Sequence, residues 1–166
     1  MTGNSAELLE RLESFSIDLA VTAERPSSEA FVARRLRQDR LVAVVPKGWP
    51  LAGTSSLTLA RIADGPLILR EEGSVTRRLL LDEMRRRGLK QEATIEIESR
   101  EAAREAVAQG LGVAVMSEGE LVPDPRLKTF AIADWQASME EWLLCLKSRA
   151  DLHLIRSFLA ELPENS

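Results

Sequence analysis

Apolar positions along this chain of 166 residues recur with two different spacings, which replace each other repeatedly from one end to the other. A spacing of three to four residues is typical of a helix with one buried face, whereas short apolar runs and strict alternation are typical of strands. The first pattern predicts helices in five segments, 5–12, 58–63, 74–87, 99–109 and 152–162. The second predicts strands in seven segments, 17–21, 41–45, 67–69, 93–97, 113–116, 127–133 and 141–147.

Several predicted helices have polar residues at their starts and glycines at their ends. Ser5, Thr58 and Ser99 are placed to accept hydrogen bonds from the first backbone N–H groups of a helix. Gly88 and Gly110 follow the predicted helices 74–87 and 99–109, where a helix commonly ends. These signals predict the helix boundaries more sharply than the apolar spacing alone.

Strands and helices alternate through short loops as far as Ser117, which indicates βαβ units and a mostly parallel sheet covered on both faces. The predicted fold class is therefore α/β. After Ser117 two strands follow each other directly, and the remaining segment is too short for a domain of its own. We predict two lobes, residues 43–118 and a discontinuous lobe of residues 1–42 plus 119–166, with a hinge where the chain crosses near Arg40 and Ser117.

Hydroxyl residues follow two of the predicted strands at the point where a helix begins. Ligands of open α/β sheets bind outside the carboxyl ends of the strands, where helix N-termini present free N–H groups. Ser74, Thr76 and Ser99 are expected there, and Gly73 would allow close backbone approach. Each hydroxyl taken alone is better explained as a helix cap. The set together predicts a site for a small anion.

Three arginines border the same loops, namely Arg70, Arg77 and Arg100. A guanidinium group can bind a carboxylate or phosphonate through two parallel hydrogen bonds. Three acidic residues are equally close in sequence and could hold these arginines in salt bridges instead: Glu71, Glu72 and Glu98. If both interpretations hold in part, the site would suit a zwitterion with an anionic head and an ammonium group.

Charge and composition exclude several classes of function. The formal net charge of -4 and the sequence pI near 5.2 argue against strong binding to nucleic acid by this chain. The basic run 34–40 is interrupted by Asp39 and contains no aromatic residue, so it is interpreted as a solvated face. No basic leader with an apolar core and no membrane-spanning apolar run is visible, so a cytoplasmic location is expected.

No residue pattern indicates catalysis, a metal site or a cofactor. Cys145 is the single cysteine and lies in an apolar strand, where we expect an inert buried thiol. His153 is the single histidine and has no nucleophile motif around it. We therefore expect no catalytic residue, no metal, no cofactor and no enzymatic activity.

The order and spacing of several segments resemble the effector-binding domain of a LysR-type transcriptional regulator. The resemblance covers nearly the whole chain and rests on six segments, 18–21, 39–46, 50–52, 73–77, 99–107 and 110–114. It implies a two-lobed fold similar to type 2 periplasmic binding proteins, with an inducer held between the lobes. It also implies inducer-site residues Asn4, Ser5, Gly73, Ser74, Val75, Thr76, Glu98, Ser99 and Ser117, with Arg70, Arg77, Arg100 and Met116 as secondary candidates.

Three segments, 70–74, 99–102 and 123–127, are further similar to regulators associated with 2-aminoethylphosphonate catabolism. Family members also carry a winged helix-turn-helix, a linker helix and the first strand, first helix and second strand of the effector domain. None of these is visible here, so we expect an N-terminal truncation. The resemblance then implies DNA contact only through an absent segment, homo-oligomers of the full-length protein and an altered dimer for this chain.

Three functions remain open on the sequence, and inducer sensing is the first. The second is a stand-alone or transport-associated small-molecule-binding protein of the same fold, against which the missing export signal counts. The third is a small enzyme on the same scaffold, which fold alone does not exclude. The lack of a nucleophile and base pair argues against that third function.

Overall fold

The structure is a computed structural model that describes residues 4–50, 55–91 and 94–161. The chain forms two compact units. The central unit is Asp39–Ser138, and the terminal unit combines Met1–Gln38 with Met139–Ser166. Among the described residues, no helix is both long and apolar enough to cross a membrane.

Five α-helices and eight strands lie in the described ranges. The helices are α1 Ser5–Glu13, α2 Leu59–Ala63, α3 Val75–Arg86, α4 Arg100–Ala108 and α5 His153–Glu161. The strands are β1 Ala20–Thr22, β2 Phe31–Pro46, β3 Ser56–Leu57, β4 Leu67–Leu69, β5 Thr94–Glu96, β6 Val113–Ser117, β7 Leu127–Ile132 and β8 Ser138–Leu146. Short 3-10 helices cover Glu118–Glu120 and Lys147–Arg149. Every predicted helix and strand is found, and β3 is an addition.

Strand β2 begins ten residues before the predicted start of its apolar run. The basic run 34–40 is part of this strand, because its arginines pair with acidic residues of β8 in the same unit. The side chain of Arg35 lies 3.1 Å from Glu140, and that of Arg37 lies 2.8 Å from Glu141. Both arginine side chains are 43% exposed. The spacing of apolar positions along the chain gives no information about ion pairs between strands.

The sheet of the central unit is mixed, which corrects the prediction of a mostly parallel sheet. Strand β4 is parallel to both β5 and β6, and β3 is parallel to β7. Strand β2 is antiparallel to β6 and to β7. The prediction was wrong for β2 because a buried apolar run looks the same whichever way the strand runs through the sheet.

The core of the central unit lies between α4 and the middle of the sheet. Helix α4 contributes small buried residues, Ala103, Ala106 and Val107. They pack on side chains from three strands, Val42, Val44, Ile68, Ala114 and Met116. Small side chains on the helix allow its backbone to lie close to the sheet, so the position of α4 is fixed by packing.

The terminal unit has its own core, and it corrects one predicted cap. Leu12, Phe31 and Leu144 are buried together there. Helix α1 is capped by Asn4, whose side-chain oxygen accepts from the N–H of Glu7 at 3.1 Å. The Ser5 hydroxyl, predicted as the cap, instead accepts from the N–H of Ala23 at 3.1 Å and ties the helix to the end of β1.

The end of the chain divides between the two units. Strand β7 belongs to the central unit, where it pairs with β2 and β3. Strand β8 pairs with β1, and Arg34 donates to the carbonyl of Leu159 in α5, so most of the tail packs with the N-terminal segment.

Replacing Gly112 by alanine should destabilise the central unit. A Cβ there would lie 2.4 Å from the carbonyl oxygen of Pro66, which already accepts from the N–H of Val113. Because the obstacle is backbone, we expect a loss of about 1–3 kcal/mol in unfolding free energy, measured by urea denaturation. Gly48→Ala is the matched control, since no atom lies within 4 Å of its Cβ position. Equal losses in both variants would contradict this account.

Stability should also fall at acid pH through one ion-pair cluster. Arg126 donates to Glu105 and Asp124, and these hydrogen bonds lower the pKa of each carboxyl to about 2, from usual values of 4.5 and 3.8. Their contribution is present above pH about 4.5 and is lost as the pH falls towards 2. Denaturation between pH 7 and 2.5 should show a shallower decline for Arg126→Gln than for wild type. The control Lys90→Gln, at an exposed position, should decline like wild type.

Candidate functional site

The parallel strands β4, β5 and β6 bring three loops to one edge of the central unit. Leu67 lies beside both Thr94 and Val113, so the carboxyl ends of the three strands point the same way. The segments that follow these strands are 70–74, 97–99 and 118–120. This edge is where open α/β sheets bind their ligands, and it contains most of the site residues predicted from sequence.

The loops after β4 and β5 are joined by two hydrogen bonds. The N–H of Ile97 donates to the carbonyl of Leu69 at 2.9 Å, and Arg70 Nε donates to the carbonyl of Glu98 at 2.9 Å. The second bond fixes the distance between the segment that leads to α3 and the segment that leads to α4. Ser74 and Ser99, at the starts of these helices, are therefore held on neighbouring loops.

Helix α3 differs from α4 in how it begins. Ser74 occupies the cap position with extended backbone, φ -73° and ψ 126°, but its side chain makes no capping hydrogen bond. Gly73 before it has φ +91°, a conformation that favours glycine. At α4, by contrast, Ser99 Oγ accepts from the N–H of Ala102 at 3.0 Å. The first turn of α3 is thus left without the side-chain cap that sequence reasoning expected.

Val75 and Thr76 form the first turn of α3. Val75 is buried and anchors the helix start against the core, whereas Thr76 is half-buried. Because successive helix residues point about 100° apart, one side chain holds the turn in place while its neighbour lies nearer the surface.

The three candidate arginines all have carboxylate partners. Arg70 lies 2.9 Å from Glu71, Arg77 lies 2.6 Å from Glu96, and Arg100 lies 2.8 Å from Glu120. Arg77 also donates to the carbonyl of Arg70 at 2.9 Å. The salt-bridge interpretation therefore holds for these arginines, with Glu96 and Glu120 as partners that the sequence did not single out.

Ser117 ends β6 in a polar cluster. Its side chain is fully buried, and its hydroxyl donates to a carboxylate oxygen of Asp39 at 3.2 Å. The same carboxylate packs on Gly119, where a Cβ would lie 2.3 Å from Asp39 Oδ2. Arg40 binds Glu118 through two hydrogen bonds of 2.6 and 3.0 Å, which lower the pKa of that carboxyl. Asp39 and Gly119 were missed because they become neighbours only through the pairing of β2 with β6.

The remaining predicted residues have separate positions. Met116 is buried in the central core, and Glu98 is exposed beside Ser99. Asn4 and Ser5 lie in the terminal unit, where each makes the local hydrogen bond described above. As a set, the central-unit candidates are held on adjacent loops of one sheet edge.

The single cysteine and the single histidine both belong to the terminal unit. Cys145 is buried in β8, and burial raises the pKa of its thiol. His153 is exposed at the start of α5. Within the described ranges, no group of three or more His, Cys, Asp or Glu residues is arranged to hold a metal ion. The edge offers N–H and hydroxyl donors together with the exposed carboxylate of Glu98.

Comparisons with known proteins identify what this architecture is similar to. A family model for the LysR substrate binding domain matches residues 1–166. The RuBisCO operon transcriptional regulator of Allochromatium vinosum is 33% identical over 114 residues, which are 69% of this chain and 38% of that protein. The HTH-type transcriptional activator CmpR of Synechocystis is 34% identical over 115 residues, again 69% of this chain and 38% of that protein.

A solved structure gives the likeness in three dimensions. The regulatory domain of CcmR from Synechocystis, in complex with 2-PG, has a TM-score of 0.84 at 23% identity, over 96% of this chain and 78% of that one. This likeness confirms the predicted α/β fold of the type 2 periplasmic-binding-protein kind. The chain spans about two fifths of the length of the curated regulators it matches.

Removing Asp39 should weaken the central unit through Ser117. The Asp39→Ala variant would leave a fully buried hydroxyl without its acceptor, at a cost of roughly 1–3 kcal/mol in unfolding free energy. In a double-mutant cycle measured by urea denaturation, Ser117→Ala should offset part of that loss. Strictly additive losses from the two substitutions would show that this hydrogen bond does not couple the two residues.

Proposed function

Because this chain belongs to the LysR substrate-binding domain family, we propose that it is the inducer-sensing part of a transcriptional regulator. In this proposal it binds a small anionic or zwitterionic metabolite and catalyses no reaction. The matched relatives are transcriptional regulators, and their similarity supports a regulatory role. We place the protein in the cytoplasm on the same basis.

The observation that carries the proposal is the start of α3. A 12-residue helix presents its first N–H groups at the ligand-binding edge of the sheet, and the Ser74 side chain does not cap them. The N–H groups at a helix start and the helix dipole favour an anion at this position. We propose that the anionic group of the ligand accepts from these N–H groups and from the hydroxyls of Ser74 and Thr76, with Gly73 allowing close approach.

The finer proposal is that the ligand also carries a positive group. Glu98 is exposed on the neighbouring loop, which Arg70 fixes beside the start of α3. A carboxylate there is suited to accept from an ammonium group. The ligand of this description that the sequence suggests is 2-aminoethylphosphonate, and it remains a proposal to be tested against simple carboxylates and phosphonates.

The proposal extends to the longer regulator. We propose that it is a homo-oligomer that contacts DNA through a helix-turn-helix outside this chain. Ligand binding would shift its conformational equilibrium only by the difference in affinity for the two states, typically about 1–3 kcal/mol. Two further points stay proposals. One is the division into lobes, at residues 43–118 and at 1–42 with 119–166. The other is the role of Asn4, Ser5 and Ser117 in binding.

Ligand-induced stabilisation tests the site directly. A ligand present at 100 times its dissociation constant adds about 2.7 kcal/mol to stability, which a thermal-shift screen of small carboxylates, phosphonates and 2-aminoethylphosphonate would detect. Ser74→Ala should leave the melting temperature of the free protein nearly unchanged, because its side chain caps nothing, but should reduce the ligand-induced rise.

Thr58→Ala is the matched control. Its hydroxyl caps α2, so the free protein should lose about 1 kcal/mol of stability, while the ligand-induced rise should stay unchanged. A stabilising ligand whose effect survives intact in both Ser74→Ala and Thr76→Ala would bind elsewhere, and the assignment to α3 would be wrong.

A further inference from the structure

A concave site lies in the central unit, beside α4. It is a small open pocket of about 80 Å³ between the first two turns of α4 and the segment that follows β6. Its apolar lining comes from three residues, Met116, Leu121 and Val122. The pocket is large enough for a group of a few heavy atoms, and its mouth lies where α4 presents charged side chains.

Two arginines line the pocket, and they differ in their partners. Arg100 and Arg104 are one helical turn apart, so they share a face of α4. Arg100 is paired with Glu120, whose side chain is only 10% exposed. Arg104 is half-buried, and among the described residues it makes no hydrogen bond or ion pair. Its charge is attracted to the Asp124 carboxylate over a longer distance.

The charges around the pocket leave Arg104 as its available cation. Glu120 is neutralised by Arg100, and Asp124 is bound by Arg126 through two side-chain hydrogen bonds of 2.8 and 3.1 Å. Glu101 also lines the pocket, three residues before Arg104, yet the two side chains form no ion pair. A partly buried guanidinium without a carboxylate partner, next to an apolar wall, is a recognition element for an anion with an apolar body.

We propose that this pocket binds a small monocarboxylate with a short apolar tail. Its carboxylate would accept from the Arg104 guanidinium, and its tail would cover Met116, Leu121 and Val122. Arg100 and Met116, predicted as secondary members of the inducer site, also line this pocket. The proposal does not depend on the inducer site at α3, since the two sites share no side chain that binds the ligand.

NMR titration of the whole chain with sodium butanoate tests the proposal. In the wild-type protein, saturable shifts should appear at the amides of residues 100–104 and 121–122. Arg104→Gln should weaken binding by about tenfold or more, because a charge-assisted hydrogen bond is lost. Arg61→Gln removes the same charge from α2 and should leave the affinity unchanged. Butylamine, which has the opposite charge, should cause no shift at these amides.

A second variant keeps the test valid if Arg104→Gln perturbs folding. Val122 is 63% exposed, so Val122→Ser should fold normally and weaken butanoate binding through the apolar wall. Unchanged affinity in both variants, or the absence of saturable shifts in the wild type, would overturn the proposal. Shifts confined to residues 73–76 and removed by Ser74→Ala would assign butanoate to the α3 site and also overturn it.

Discussion

The central unit depends on the position of β4 between two parallel neighbours. All three residues of β4 are at least 95% buried, and β5 and β6 pair with it in the same direction. This arrangement sends the loops after β4, β5 and β6 to one edge of the sheet, where α3 and α4 begin. The close approach of Gly112 to Pro66 places β6 beside β4, so this single backbone contact supports the whole edge.

Electrostatics then decides which groups at this edge are available to a ligand. Arg70, Arg77 and Arg100 are paired with carboxylates, and such pairs are worth little in water but do occupy the side chains. Recognition at α3 would therefore come from backbone N–H groups and hydroxyls. Arg104 is in a different position, because Glu120 and Asp124 nearby are bound by other arginines. Salt bridges within the chain thus occupy arginine side chains that could otherwise bind a ligand.

The family likeness and the local geometry answer different questions. The likeness to CcmR, at 23% identity, establishes the fold and does not carry the ligand with it. Membership of the LysR substrate-binding domain family points to a sensing role, while the ligand class has to follow from the residues of this chain. At α3 those residues present N–H and hydroxyl donors, and at α4 they present a cation beside an apolar wall.

The sequence by itself determined the five helices, most of the strands, the α/β class and the segments that follow the strands, because apolar spacing and capping residues are local properties. Tertiary structure alone decided the direction of β2, the capping of α1 by Asn4 instead of Ser5, and the partners of the arginines. Strand direction and ion pairs depend on residues far apart in the chain. Asp39 meets Ser117 across 78 positions, and no spacing rule along one segment can bring such a pair together.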